Sequence, residues 1–75
     1  MPRREHHVVP NPTGGWDVKR NGSSTAIIHT NTKQAAVQQG RILSKAESTE
    51  FIIHGKDGRI QRSDSYGNDP YPPRG

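Results

Sequence analysis

Seventy-five residues with 27% hydrophobic positions and no cysteine make one lean domain at most. Neither a disulfide staple nor a thiolate zinc site can hold such a chain, and no apolar run is long enough for a membrane span or a signal-peptide core. The formal charge of +4 is uneven: residues 1–45 carry seven Lys/Arg against two acids, whereas 46–75 carry four against five, so a polyanion is the expected partner of the basic half.

Met1 to Glu5 is a short charged lead-in. His6-His7-Val8-Val9 reads as a first strand, stopped by Pro10-Asn11-Pro12, whose prolines remove ladder donors. Trp16-Asp17-Val18-Lys19-Arg20 alternates, with Trp16 and Val18 on one face and Asp17 and Lys19 on the other. Asn21-Gly22 is a strong hairpin signal and predicts a type I′ turn with positive φ at both residues. The β-branched run Thr25 to Thr30 is the returning strand.

After Thr30 the period changes. Asn31 or Thr32 can cap a helix, and Asn31 with Gln34 has capping-box spacing. The helix is predicted from Thr32 to Glu47, with Ala35, Ala36, Gln39, Gly40, Ile42, Leu43 and Ala46 on one side. Gly40 weakens it by about 1 kcal/mol against alanine, which a close helix–sheet approach would explain. Glu50 to His54 is a fourth strand, Gly55-Lys56-Asp57-Gly58 a turn with Asp57 and Gly58 left-handed, and Arg59 to Arg62 a fifth strand. From Ser63 onward, proline, glycine and tyrosine replace the aliphatics and predict an extended tail.

The expected architecture is α+β, in the order β-β-β-α-β-β, with a small antiparallel sheet and one helix on one face. Residues 1–5 form the N-terminal lead-in, 6–62 the domain and 63–75 the tail. The expected core is Trp16, Val18, Ile27 or Ile28, Ala36, Leu43, Phe51, Ile53 and Ile60. The uncovered face is expected to carry Asp17, Lys19, Glu50, Arg59, Gln61 and Ile52, free for a ligand.

The stretches His7-Val8-Val9-Pro10, Gly14-Gly15-Trp16-Asp17-Val18-Lys19, His54-Gly55-Lys56-Asp57-Gly58-Arg59-Ile60-Gln61 and Ser65 to Gly75 resemble a small bacterial protein family catalogued only as a domain of unknown function. The resemblance spans nearly the whole chain. It implies a bacterial or phage-borne origin and a stand-alone small domain, and supplies no activity. The family's helix usually opens Thr-x-x-Glu; Ala35 stands at the acidic position here, which implies a weaker cap or one shifted to Asn31. In a looser likeness, Gly15-Trp16-x-Val18, the Asn-Gly hairpin and Thr32-Lys33-x-x-Ala36 are similar to the arm-binding domains of phage-type integrases, which lay a three-stranded sheet in the DNA major groove and back it with one helix.

The tip Lys19-Arg20-Asn21 is the leading contact candidate, because lysine and arginine neutralise phosphates while arginine and asparagine also read base edges. Arg41 and Lys45, one helical turn apart, are expected to add a second basic edge. His6, His7, His29 and His54 lack paired metal-ligand spacing, so no metal, cofactor or catalytic set is expected, nor a small-molecule substrate. The expectation is a cytoplasmic, non-enzymatic accessory protein binding nucleic acid through the basic hairpin and open sheet face. The alternative is a protein-interaction module, a homodimer or a phage-type modulator of a host protein, using Ile52 and the tail residues Tyr66, Tyr71 and Arg74.

Overall fold

The computed structural model describes residues 5–66. Strands β1 (Glu5–Pro10), β2 (Trp16–Arg20) and β3 (Ala26–Thr30) precede helix α1 (Lys33–Glu47), and β4 (Glu50–His54) and β5 (Ile60–Ser65) follow it. All five strands join one sheet in the order β3-β2-β1-β4-β5. The α+β class and the element order are as the sequence predicts; the purely antiparallel pairing is not. β1 and β4 run parallel, Val8 opposite Ile53, while the other three pairs are antiparallel. The cause lies in the connection: α1 carries the chain from the end of β3 back along the sheet, so β4 starts beside the start of β1.

The helix opens at Thr32, not Asn31. Thr32 has extended backbone, and its hydroxyl accepts the Ala35 N–H at 3.2 Å. It closes at Ser48, which adopts the left-handed conformation (φ 57°, ψ 55°). Thr49 N–H then donates to the Ser44 carbonyl at 2.9 Å, turning the chain into β4.

The helix presents a different phase from the expected one. Its buried line is Ala36, Gly40 and Ser44, spaced four apart, while Ile42 stands 63% exposed. Gly40 is the point of closest approach: a Cβ there would lie 2.6 Å from Phe51 Cε1. The core comprises Val8, Trp16, Val18, Ala36, Phe51 and Ile53, with Ile28, Val37 and Tyr66 packed at its margin. Ile60, expected inside, is 61% exposed, because the register of β5 shifts between Ile53 and His54. Leu43, also expected inside, is only half-buried and lies outside that cluster.

Ser63 to Ser65 are not tail. They pair with Ile52 to Glu50 as the end of β5, and Tyr66 N–H donates to the Thr49 carbonyl at 3.1 Å. Tyr66 tilts against Phe51 with ring centroids 6.5 Å apart. The fold therefore extends past the expected boundary at residue 62. Tyr71 and Arg74 lie outside the described residues.

Candidate functional site

Period-two alternation assigns each strand residue to a face. Val8, Val18, Phe51 and Ile53 face the helix. Glu5, His7 and Val9 of β1, Lys19 of β2, and Ile52 and His54 of β4 consequently share the opposite face, which no helix covers among the described residues. A groove of about 460 Å³ runs across that face by the β2–β3 hairpin, with Glu5, His7, Val9, Lys19, Asn21 and His54 among its lining residues.

The hairpin departs from the expected turn. Ser23 N–H donates to the Arg20 carbonyl at 3.1 Å, and Gly22 takes φ 79° while Asn21 stays at negative φ, the pattern of a type II turn. The second hairpin departs similarly: of Asp57 and Gly58, only Gly58 has positive φ, and Gly58 N–H donates to the Gly55 carbonyl at 2.9 Å. Asn21 ties the first hairpin to β1. Its N–H donates to the Glu5 carbonyl at 3.1 Å, and its Oδ1 accepts the Glu5 N–H at 3.2 Å.

Of the five candidates, Lys19, Arg20 and Asn21 line the groove, and Arg41 and Lys45, on α1, do not. Lys19 lines the groove, pairs in register with His7, and has no carboxylate within ion-pair distance among the described residues. Arg20 borders the groove but sends its guanidinium to the helix side, where Nη2 donates to both oxygens of Glu47 at 3.1 and 3.0 Å, so its charge is matched within the chain. Lys45 lies 5.6 Å from the centroid of Tyr66, beyond β5 on the helix side, and Arg41 is one turn before it. Glu47 is two residues on from Lys45, about 200° around the helix, so Lys45 and Arg20 flank opposite sides of α1. Further pairs, Arg59 with Asp57 at 3.8 Å and Arg62 with Asp64 at 3.2 Å, offset more of the formal charge.

Ile52 offers little to a partner. It is on the open face, but its neighbours leave it only 8% exposed. Asp17 is likewise buried: its Oδ1 lies 2.6 Å from His29 Nδ1, and its Oδ2 accepts the Asn11 amide at 2.9 Å.

The other three histidines also build polar contacts that residue spacing does not show. His7 Nδ1 and His54 Nε2 are 2.9 Å apart, with the rings stacked at 5.1 Å between centroids. His7 Nε2 sits 3.0 Å from Glu5 Oε1, and His54 Nδ1 sits 3.0 Å from the Gly58 carbonyl. His6 is 1% exposed beneath the end of α1. Its Nδ1 meets Thr49 Oγ1 at 2.7 Å and Ser44 Oγ at 3.3 Å, and its Nε2 faces Glu47 Oε1 at 3.5 Å. Burial, reinforced by Arg20 and His7 against the pull of Glu47, holds the His6 imidazole below its usual range. The available signal was parity: His6 is two residues from Val8 and must share its face.

Among the described residues, no group of three or more His, Cys, Asp or Glu side chains is placed to hold a metal ion. No described helix is long and apolar enough to cross a membrane.

Comparison with known proteins places most of this sheet within a recognised pattern. The family model described as "Uncharacterized protein conserved in bacteria (DUF2188)" matches residues 6–66. The chain is 29% identical over 65 residues to the uncharacterized protein YdaT of Bacillus subtilis (strain 168), a span that covers 87% of this chain and 43% of that protein. The chain thus spans less than half the length of that relative. No solved structure matches it significantly.

Proposed function

The chain belongs to this family of uncharacterized bacterial proteins, and on that footing we propose that it is a small non-enzymatic accessory module that binds nucleic acid through the open face of its sheet beside the β2–β3 hairpin. The observation that carries this is the position of Lys19: a lysine with no carboxylate partner among the described residues, in a groove on the face opposite the helix. Such a groove admits a phosphate backbone, and the imidazoles and the hairpin rim supply further polar contacts. Arg20 serves to fix the hairpin against α1 instead of contacting phosphate, and Arg41 with Lys45 forms a separate edge. The rival protein-interaction role loses its apolar anchor, since Ile52 is nearly covered.

Salt-titrated binding to a short labelled duplex and to a single strand tests the assignment. Each phosphate neutralised on a duplex contributes about −0.9 to the slope of log K against log salt, so Lys19→Glu should weaken binding on every sequence and flatten that slope by about one ion pair. Arg41→Glu with Lys45→Glu should weaken it less. Absence of binding at low salt, or equal losses for the two sets of variants, would refute this assignment of the surface.

A further inference from the structure

Across the open face runs a chain of four groups: the Glu5 carboxylate, the His7 imidazole, the His54 imidazole and the Gly58 carbonyl. Consecutive members are separated by 3.0, 2.9 and 3.0 Å. Each separation is a hydrogen-bond length, so each needs one proton between its two heavy atoms. The Gly58 carbonyl can only accept, so His54 Nδ1 carries a proton. An ionised Glu5 can only accept as well, so His7 Nε2 carries another. If both imidazoles are neutral, those two protons exhaust the supply, and two bare lone pairs face each other at 2.9 Å between His7 Nδ1 and His54 Nε2. Shifting tautomers does not remove the deficit. A proton moved to His54 Nε2 leaves its Nδ1 lone pair against a carbonyl, and one moved to His7 Nδ1 requires Glu5 to be protonated. Every arrangement that satisfies all three contacts contains three protons, one more than a carboxylate and two neutral rings possess.

We propose that His7 and His54 form a proton-binding site that holds one shared proton, and that this proton sets the charge of the groove beside Lys19. With it, the Glu5–His7–His54 cluster is neutral. Without it, the cluster carries −1, and one of the three contacts opens. Two protons on the pair would set two imidazolium N–H groups against each other at 2.9 Å, so a second is opposed. The other charged or titratable groups on this face are Lys19 and Asp17 on β2, the latter held by His29 of β3 at 2.6 Å, Arg20 at the hairpin, Glu50 on β4, opposite Glu5, and Lys56, Asp57 and Arg59 around the Gly58 turn. Of these, Arg20 is matched by Glu47, and Arg59 by Asp57. Lys19 therefore stands beside either a neutral or an anionic cluster, according to the proton.

The consequence for nucleic acid rests on the function proposed above; the proton site does not, and the experiment has an arm for each. Imidazole nitrogen NMR of the full chain, from about pH 8 to about pH 5, the range in which histidines exchange their proton, reads the site directly. His7 and His54 should take up one proton in a common step. His7 Nε2 and His54 Nδ1 should stay protonated throughout, and the two facing nitrogens should shift together. In His54→Gln the His7 step should move, and in His7→Gln the His54 step should move; the wild-type titration decides the matter even if a variant fails to fold. Independent steps, or a full proton on each ring, would overturn the site. In the second arm, a short fluorescein-labelled DNA duplex should bind the wild type roughly two- to threefold more tightly at about pH 6 than at about pH 8, the effect of one unit charge about 6 Å away in water. Both glutamine variants should lose that ratio. A wild-type ratio that survives in the variants overturns the coupling, and absence of duplex binding at any pH overturns the nucleic-acid function while leaving the NMR result to decide the shared proton.

Discussion

Gly40→Ala sets helix propensity against packing, and the two give opposite signs. In an exposed helix the change stabilises by about 1 kcal/mol, since alanine is the better helix former. At position 40 the added Cβ would lie 2.6 Å from Phe51 Cε1 and 3.0 Å from Cζ. Carbon pairs are at their optimum near about 3.5–4.0 Å, so the nearer contact is about 1 Å too close. Phe51 cannot yield: it is fully buried, with the Tyr66 ring at 6.5 Å and Val18 Cγ2 at 3.5 Å from the same Cβ position. The helix must lift from the sheet, an overpacking penalty of about 1–3 kcal/mol. The net expectation is a loss of about 1 kcal/mol, or a fall in Tm of about 4–8 °C for a domain this size. Thermal melts followed by circular dichroism, with urea midpoints as a second measure, read it. Combining Gly40→Ala with Phe51→Leu should recover part of the loss, because the colliding ring is gone. A Tm that rises on Gly40→Ala alone would refute the close approach.

Acid should weaken the fold through His6. Its folded pKa lies below the usual 6.5 because of burial, so the unfolded chain takes up the proton first; the stabilisation is complete above about pH 6.5 and is lost as pH falls through the folded value. Urea midpoints at about pH 7.5 and about pH 5.5 should differ less in His6→Gln than in the wild type. Ser48→Gly should raise the urea midpoint, by up to about 1 kcal/mol of stability, since a side chain at φ 57° is strained and glycine is not; no gain would place the stabilising contacts of the cap in the serine itself.

How far the fold is legible in the sequence depends on which rule governs each element. Local chemistry locates the strands and the helix well: prolines end β1, β-branched residues fill β3, and a hydroxyl caps α1. Long-range pairing is invisible to it. Nothing in Glu50 to His54 says that this strand joins β1 in parallel, because side-chain alternation is the same in either direction. The helix phase is hidden for a related reason: the larger apolar residues suggest one buried side, whereas small residues, Ala36, Gly40 and Ser44, let the helix approach the sheet. The basic tip was legible as composition but not as geometry. Arg20 and Lys19 are adjacent in sequence, yet alternation sends one to Glu47 and the other to the groove. His7 and His54 are brought together only by the β1–β4 pairing, which no local pattern contains.

The parallel pairing also orders events in time. β1 is the middle strand of five, and its second neighbour is not synthesised until after the helix. A meander of β1, β2 and β3 can form as soon as those residues emerge, but one edge of β1 stays open, and the Phe51 against which the helix seats has yet to arrive. Closing that long loop carries an entropic penalty that only the completed layer repays, which favours slow, all-or-none assembly over a stable half-built intermediate.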